Sequence, residues 1–280
     1  KFYQLLLEKK VEFAIARAGV ISNNIILERA RPVIEPLSPN RKFVLASSML
    51  LGFLISFLII FIKYIFYNEI TSLEEINQYT DSALLGIIPT YKKEIPVSQL
   101  LVDKNPKSAI AESFRSVRTN LQFISNKEDA KVIAITSTIS GEGKTFVAIN
   151  LAGVIAFSDK KVIILDLDMR KPKIHLGFNV DNVKGMSTIL IGKDKIENCI
   201  QQSNLKNLHF ITAGPIPPNP SELILSKAMN DTVDYLKSIY DVVIIDTPPV
   251  GIVTDGVQII KSADYPIYII RAMYSKRMFI

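Results

Sequence analysis

The sequence predicts an α/β fold whose core is a doubly wound, mostly parallel sheet. Apolar, β-branched runs of strand length alternate with segments of helical periodicity, an order that produces a parallel sheet with helices on both faces. Two of the runs end in carboxylates, at Asp166 and Asp246, and a third, at residues 131–136, leads into a glycine-containing turn. Polar groups therefore gather at the carboxyl ends of the strands, where open α/β sheets bind ligands.

The turn after the first run has the composition of a phosphate-binding loop. Gly141 and Gly143 let the backbone point its amides inward, and the N-terminus of the following helix adds partial positive charge. Lys144 is expected to reach the β- and γ-phosphates of a nucleotide, and Thr145 to offer its hydroxyl to Mg²⁺. Thr138 stands where the usual GxxxxGK[ST] pattern has its first glycine, but the loop depends mainly on later residues. An ordinary glycine turn that contains a lysine is the simpler alternative.

Two later strands deliver carboxylates to the same edge of the sheet. The strand predicted at residues 161–165 ends at Asp166, and Asp168 faces the same way because alternate residues of a strand share a side. The strand at residues 241–245 delivers Asp246 just before two prolines that stop it. Carboxylates often end strands for structural reasons, but Mg²⁺ at nucleotide sites is held by one or two carboxylates plus phosphates. Together with the loop, these strands predict a Mg·ATP site.

Two further strands complete the predicted sheet, at residues 207–212 and 265–270, and the second ends at Arg271. The residues predicted to bind the nucleotide are Ser140, Gly141, Glu142, Gly143, Lys144, Thr145, Phe146 and Arg271. The predicted metal ligands are Thr145, Asp166 and Asp246.

Composition argues against several other kinds of site. A lone cysteine, Cys199, rules out an internal disulfide framework, and with only two histidines it also argues against a His/Cys zinc site. The formal net charge of +6 is too mild to indicate nucleic acid binding, and a weak attraction to anionic lipid accounts for it equally well. The chain starts at Lys1 without a signal-peptide pattern, so we expect a fragment.

An apolar segment upstream predicts a transmembrane helix at residues 43–66. Residues 43–62 carry no charge, and about 20 residues at ~1.5 Å each cover the ~30 Å hydrocarbon core of a bilayer. Tyr64 and Tyr67 would lie at the membrane interface. The alternative is a buried core helix, which rarely runs so long without a strongly polar residue.

Charge and chemistry disagree about the orientation of this span. Basic residues crowd its N-terminal flank, so positive-inside counting would place the N-terminus in the cytosol. A site for ATP must, however, face cytosolic nucleotide. We therefore expect residues 1–42 to be external and the nucleotide domain to be cytoplasmic.

The segments that flank the span have their own patterns. Apolar residues at helical spacing predict an amphipathic helix within residues 1–18, a short strand is expected at residues 25–27, and three prolines between residues 32 and 39 stiffen the approach to the membrane. Residues 67–108 are predicted to link the span to a nucleotide domain at residues 109–280.

Within the linker, Ser72 followed three residues later by a glutamate has the spacing of a capping box and predicts a short helix. A strand is expected at residues 84–88, and a polar connecting loop at residues 91–105.

The helix predicted at residues 109–123 carries Glu112, Arg115 and Arg118 on one stripe, because three-residue steps advance about 300°. Two interpretations are equally supported by this spacing. The charges pair within the helix, or the stripe contacts a neighbouring subunit.

These motifs together resemble the bacterial tyrosine kinases (BY-kinases) of the polysaccharide co-polymerase type, over nearly the whole chain. The resemblance rests on GEGKT at 141–145, LDxDxR at 165–170, DTPP at 246–249, ExxRxxR at 112–118 and NPSEL at 219–223. The N-terminal portion is similar to the end of a chain-length determinant domain. The resemblance therefore implies a P-loop NTPase-type domain preceded by a transmembrane helix and the end of an external α+β domain.

The resemblance also implies roles for the site residues. Lys144 would stabilise the β- and γ-phosphates, and Thr145 with Asp246 would hold Mg²⁺. Asp166 would be the base for a tyrosine hydroxyl and a further metal ligand, and Asp168 would help to position metal and nucleotide. Phosphoryl transfer needs mainly such positioning and charge neutralisation.

The implied activity is that of an inner-membrane autokinase that regulates capsular or exopolysaccharide chain length and export. Its implied partners are further copies of the chain in a ring joined through Glu112, Arg115 and Arg118, the polymerisation and export machinery, a cognate tyrosine phosphatase and the membrane. The family's tyrosine-rich tail, its first span and most of its external domain are expected to lie outside this sequence.

Two alternatives to the kinase remain. A MinD/ParA-like ATPase switch would share these strands, but such proteins carry an extra lysine early in the loop, where this chain has Ile139. A co-polymerase scaffold without kinase activity is the other alternative, and the intact set of lysine, threonine and aspartates argues against it.

Overall fold

The computed structural model describes residues 1–19, 38–91, 98–124, 131–251 and 255–280. The chain divides into two compact units, Lys1–Phe66 and Tyr67–Ile280. The strand expected at residues 25–27 and the first two prolines of the stiff stretch lie outside the described residues.

The described part of the first unit contains α1 (Phe2–Ala18) and α2 (Arg41–Phe66), and neither helix buries a residue. The 26 residues of α2 span about 39 Å, more than the ~30 Å core of a bilayer. Its mean hydropathy reaches 2.6 over an 18-residue window. By length and composition, α2 is able to cross a membrane, and it begins two residues before the predicted span.

Six strands of the second unit form one sheet in the order β3-β4-β2-β5-β1-β6. They are β1 (Lys131–Ser137), β2 (Val162–Asp166), β3 (Gln201–Gln202), β4 (Leu208–Ile211), β5 (Val242–Asp246) and β6 (Tyr265–Ile269). β3 pairs antiparallel with β4, and the other neighbouring pairs are parallel. The predicted mostly parallel sheet is confirmed.

The two faces of the sheet are covered by different helices. Ile133 and Ile135 of β1 join the core that contains α5 (Ala109–Ile124) and α6 (Lys144–Ala156), while the alternate residue Ala134 joins the opposite core. That second core is completed by α8 (Met186–Leu190), α9 (Pro220–Ile224), α10 (Lys227–Lys237) and α11 (Asp255–Ser262). The doubly wound arrangement is therefore as predicted.

The linker contains the predicted short helix, α3 (Leu73–Tyr79), and Ser72 caps it by accepting a hydrogen bond from the Glu75 amide at 3.4 Å. The strand predicted at residues 84–88 is wrong, because that segment is not in the sheet. Its apolar residues pack on the core, and the Leu85 carbonyl accepts a hydrogen bond from Asn120 Nδ2 of α5 at 2.8 Å.

The second half of the predicted connecting loop is part of the core. It forms the one-turn helix α4 (Leu101–Lys104), and Leu100, Leu101 and Val102 are buried against α6. Asn150 Oδ1 of α6 accepts hydrogen bonds from the amides of Leu101 (2.7 Å) and Val102 (3.2 Å). Its Nδ2 donates to Gln99 O and Phe146 O, so this buried amide satisfies the segment's backbone.

Candidate functional site

The loop between β1 and α6 has the backbone that the glycines predict. Gly141 and Gly143 adopt left-handed conformations, with φ of 96° and 103°. Gly143 is the N-cap of α6, so the helix begins at Lys144 and its first amides point into the loop. This arrangement suits an anion, because unpaired amides and the helix dipole favour negative charge there.

Thr145 and Asp246 meet at the base of this loop. The Thr145 hydroxyl donates to Asp246 Oδ2 at 2.6 Å, and both residues are buried. Asp246 lies directly opposite Asp166 in the parallel register of β2 and β5. The two carboxylates that the sequence assigned to metal binding are thus neighbours across strands that are 80 residues apart in sequence.

Each of these carboxylates leaves one oxygen unused. Asp166 Oδ2 accepts hydrogen bonds from the amides of Lys173 (3.2 Å) and Ile174 (3.1 Å), at the start of α7 (Ile174–Phe178). Asp166 Oδ1 and Asp246 Oδ1 are buried without a hydrogen-bond partner among the described residues. Buried oxygens of this kind carry a large desolvation cost, which a bound cation would offset.

The electrostatics of the site point the same way. Burial raises the pKa of Asp166 well above its usual value, and the charge of Asp246 adds to the rise. Burial also raises the pKa of Asp246 to about 7, despite the opposing effects of Thr145 and Lys144. The pKa of Asp168 is raised by burial too, with Lys144 acting against it. Burial therefore disfavours the ionised form of all three carboxylates, and a cation bound beside them would favour it.

The residues present fit a magnesium ion that is bound together with phosphates. No group of three His, Cys, Asp or Glu side chains able to hold a metal occurs in the described part of the chain. The hydroxyl and the carboxylates of Thr145, Asp166 and Asp246 would supply a minority of the ligands. Mg²⁺ commonly takes one or two carboxylates and completes its shell with phosphates and waters.

Asp168 lies two residues beyond the end of β2, and its Oδ1 accepts a hydrogen bond from the Lys171 amide at 3.2 Å. It is half-buried, and the charge of Lys144 lowers its pKa against the effect of burial. Phe146 packs away from the loop, with its ring 5.9 Å from that of Phe114. Asp168 thus follows Asp166 at the carboxyl end of β2, and the Phe146 side chain is directed to the core.

Glu142 and Arg271 lie on the outer side of the loop. The Glu142 carboxylate is buried and accepts hydrogen bonds from the Ile139 amide at 2.8 Å and from the Ser275 hydroxyl. Arg271 Nη1 donates to Gly141 O at 2.8 Å. Both were expected to contact the nucleotide, and in this structure both side chains bind the loop itself.

Two residues next to the site went unpredicted. Tyr274 donates from its hydroxyl to Ser140 O at 2.8 Å, and Ser275 is buried beside Glu142. Both follow the last strand, at the carboxyl edge where ligand sites form, and that position is the one signal in the sequence that could have marked them.

The stripe on α5 is engaged within the chain. Arg115 pairs with Glu112 at 2.7 Å and also donates to Pro106 O at 2.6 Å. Arg118 Nη1 donates to Val154 O at 3.1 Å. Pairing within the helix, one of the two interpretations, is therefore present for the first two residues.

Comparisons with known proteins agree with this geometry. A model of the family described as "AAA domain" matches residues 130–277. The chain is 34% identical over 267 residues to tyrosine-protein kinase wzc of Salmonella typhi, covering 91% of this chain and 37% of that protein. It is 42% identical over 165 residues to tyrosine-protein kinase YwqD of Bacillus subtilis (strain 168), covering 59% of this chain and 70% of that protein.

A solved structure has the same fold. The kinase domain of Escherichia coli tyrosine kinase ETK superposes with a TM-score of 0.68 at 31% identity, over 75% of this chain and 86% of that one. The chain spans little more than a third of the length of the wzc relative. The family match over more than half of the chain, the similarity to YwqD over most of that protein and the shared kinase-domain fold lead to one conclusion: the chain belongs to the bacterial tyrosine-protein kinases.

Proposed function

We propose that this chain carries the nucleotide site of a protein-tyrosine kinase that transfers the γ-phosphoryl group of Mg·ATP to tyrosine hydroxyls. The observation that carries the proposal is the Thr145–Asp246 contact beside two unused, buried carboxylate oxygens, at the base of a phosphate-binding loop. The names of the relatives supply the reaction type.

Nucleotide binding would use the loop and the start of α6. The amides after Gly141 and the helix N-terminus would hold the β- and γ-phosphates, and the Lys144 ammonium would neutralise their charge. Thr145 Oγ1 and Asp246 would hold Mg²⁺, with Asp166 beside them. A bound Mg²⁺ supplies charge stabilisation to the transferring phosphoryl group.

Asp166 would accept the proton of the tyrosine hydroxyl. The amides of Lys173 and Ile174 occupy its Oδ2, which leaves Oδ1 free to take a proton. Burial raises the pKa of Asp166, and cations bound at the site would oppose that effect and keep the carboxylate ionised, as a base must be. Asp168, whose pKa the charge of Lys144 lowers against the effect of burial, would help to position the charges that surround the phosphates.

We also propose that α2 anchors the protein in the bacterial inner membrane, with residues 1–42 external and the kinase unit cytoplasmic. The exposed apolar surface of α2 supports the anchor, and the need for cytosolic ATP supports the orientation. Self-association through Glu112, Arg115 and Arg118 remains a proposal, as do roles in polysaccharide chain length and export and a cognate phosphatase as partner. A subunit contact would have to replace the Glu112–Arg115 pair, which is exposed and of low energy.

Replacing Lys144 tests the kinase activity directly. With the full chain in detergent, Mg·ATP and a tyrosine-containing copolymer as acceptor, Lys144→Met should reduce phosphotyrosine to background, because the phosphates lose their neutralising charge. Lys193→Met, which removes an exposed lysine from a turn after α8, is the matched control and should retain wild-type activity.

Other outcomes would favour the alternatives. Release of inorganic phosphate without any phosphotyrosine would support an ATPase switch. Failure of the wild-type chain to bind a non-hydrolysable ATP analogue by calorimetry would support a scaffold. Phosphotyrosine that is unchanged in Lys144→Met would exclude the proposed mechanism.

A further inference from the structure

The outer side of the phosphate-binding loop is held by a segment that the nucleotide would not touch. In such a loop the amides turn toward the anion, so the carbonyls of the same peptides point away from it. Here Ser140 O accepts from the Tyr274 hydroxyl and Gly141 O accepts from Arg271 Nη1, each at 2.8 Å. We call residues 271–277, which supply both donors, the clamp segment.

A buried carboxylate joins the loop to the clamp segment. Glu142 is 4% exposed and Ser275 is 1% exposed. The Ser275 hydroxyl oxygen accepts from the Arg271 amide at 2.9 Å, which leaves its proton to be donated to Glu142. The other Glu142 oxygen accepts from the Ile139 amide at 2.8 Å. A continuous chain of hydrogen bonds therefore runs from the clamp backbone to the first part of the loop.

The buried carboxylate of Glu142 lies within a loop that is expected to bind phosphates, so its effect on binding has to be explained. A negative charge buried in a loop that binds phosphates opposes binding, unless its hydrogen bonds bring a larger gain. Both oxygens of Glu142 are engaged within the protein, by the Ile139 amide and the Ser275 hydroxyl. Its contacts fix the peptides on either side of Ser140 and Gly141, whose amides must be aligned before the anion arrives.

The clamp segment is itself firmly held. Its backbone exchanges hydrogen bonds with Ile70, through Met273 N to Ile70 O and Ile70 N to Ser275 O, both at 2.9 Å. Arg277 pairs with Glu75 at 2.9 Å. A Cβ added to Gly141 would lie 2.7 Å from the Tyr274 hydroxyl, so the clamp also closely approaches the loop.

We propose that Glu142 and Ser275 are positioning residues for nucleotide binding, which hold the loop in its phosphate-binding conformation through the clamp segment. The inference rests on the proposed function, since it assumes that the loop binds a nucleotide. In this role Glu142 acts through the conformation of the loop and does not contact the nucleotide.

The test compares nucleotide affinity with stability in the full chain in detergent. Ser275→Ala removes the donor to Glu142, and we expect about five- to tenfold weaker Mg·ADP binding by calorimetry, the order that follows from one unsatisfied buried acceptor. In the kinase assay the KM for ATP should rise by a similar factor, with kcat less affected. Tyr274→Phe, at a partly exposed position where folding is not at risk, should also weaken binding.

Two further variants separate positioning from stability. Ser226→Ala removes the N-cap of α10, whose hydroxyl bonds Leu223 O and the Met229 amide and no residue of the loop, and should lower the thermal midpoint without changing the Kd for Mg·ADP. Glu142→Gln can still accept from the Ile139 amide and donate to the Ser275 hydroxyl oxygen, so it should retain most of the wild-type affinity.

The outcomes distinguish this inference from the proposed function. If Ser275→Ala and Tyr274→Phe both bind Mg·ADP with the affinity of the wild type, the inference is overturned and the proposed nucleotide site stands. A loss of affinity no larger than that of Ser226→Ala would also overturn it. A wild-type chain that does not bind Mg·ADP would overturn both.

Discussion

Asp166 and Asp246 illustrate how single residues at this site are built for a ligand rather than for stability. They face each other on neighbouring strands, buried, and each keeps one oxygen without a hydrogen-bond partner in the described part of the chain. An apoprotein gains nothing from such a pair, because burial and mutual repulsion both oppose ionisation. A cation that binds between the two carboxylates would offset this unfavourable free energy of burial.

This cost should appear in the pH dependence of stability. The folded pKa of Asp246 is raised to about 7 from an ordinary value of 3.8, so the native state keeps a proton that the unfolded chain loses. The free energy of unfolding should therefore fall as the pH rises from about 4 to about 7. Asp246→Asn should flatten that slope and raise the thermal midpoint of the nucleotide-free chain at pH 8.

Thermal unfolding monitored from pH 5 to pH 8 without nucleotide measures this effect. Asp231→Asn, at an exposed position of α10, is the matched control and should leave the slope unchanged. A midpoint that falls in Asp246→Asn at pH 8 would contradict the argument. Calorimetry of the same variant should find weaker Mg·ADP binding, since a proposed metal ligand is lost.

At the scale of elements, α6 follows the nucleotide loop directly and also packs against the segment that contains α4. Asn150 lies on this helix and satisfies four backbone groups around it with its side-chain amide. Gly153, one turn further, admits Leu100, since a Cβ there would lie 2.6 Å from Leu100 Cδ1. The segment from residue 98 onward thus supplies contacts for both Asn150 and Gly153 of α6.

Replacing Asn150 tests this role. Asn150→Leu keeps a side chain that branches at Cγ but leaves the amides of Leu101 and Val102 without an acceptor, and should lower the free energy of unfolding by roughly 2–4 kcal/mol. Urea unfolding of the full chain gives the difference. Asn230→Leu, at an exposed position of α10, is the control and should change stability little. Equal stability of the two variants would show that the buried contacts are dispensable.

The residues explain what the sequence could and could not predict. The strands and their terminal aspartates were predictable, because each is a local run of buried apolar residues that ends at the ligand edge. The clamp was not, because Ser275 reaches Glu142 across more than 130 residues and a lone serine follows no periodic pattern. The strand predicted at residues 84–88 was wrong because its apolar residues pack on the core beside α5. A side chain of that helix, Asn120, bonds the segment's backbone, where a strand would have bonded a neighbouring strand.

At the scale of the whole molecule, the orientation of α2 is the main prediction. Positive-inside counting and the need for cytosolic ATP give opposite answers, so labelling can decide between them. Cysteines introduced by Lys9→Cys and Lys193→Cys should react differently with a membrane-impermeant maleimide in intact spheroplasts. We expect labelling at position 9 alone, because residues 1–42 are proposed to be external.

The native Cys199 is buried, so the parent chain should give little background. Labelling of both variants only after lysis would indicate that both flanks are cytoplasmic. Labelling at position 193 in intact cells would contradict the proposed orientation.

The outer strands of the sheet have a further consequence. β3 has only two residues, and β6 at the other edge contains Pro266, which has no N–H to offer an incoming strand. Short strands and edge prolines discourage one sheet from adding to another. If α2 anchors the chain as proposed, copies would meet far more often on the membrane surface than in solution, and these edges would limit strand-to-strand aggregation.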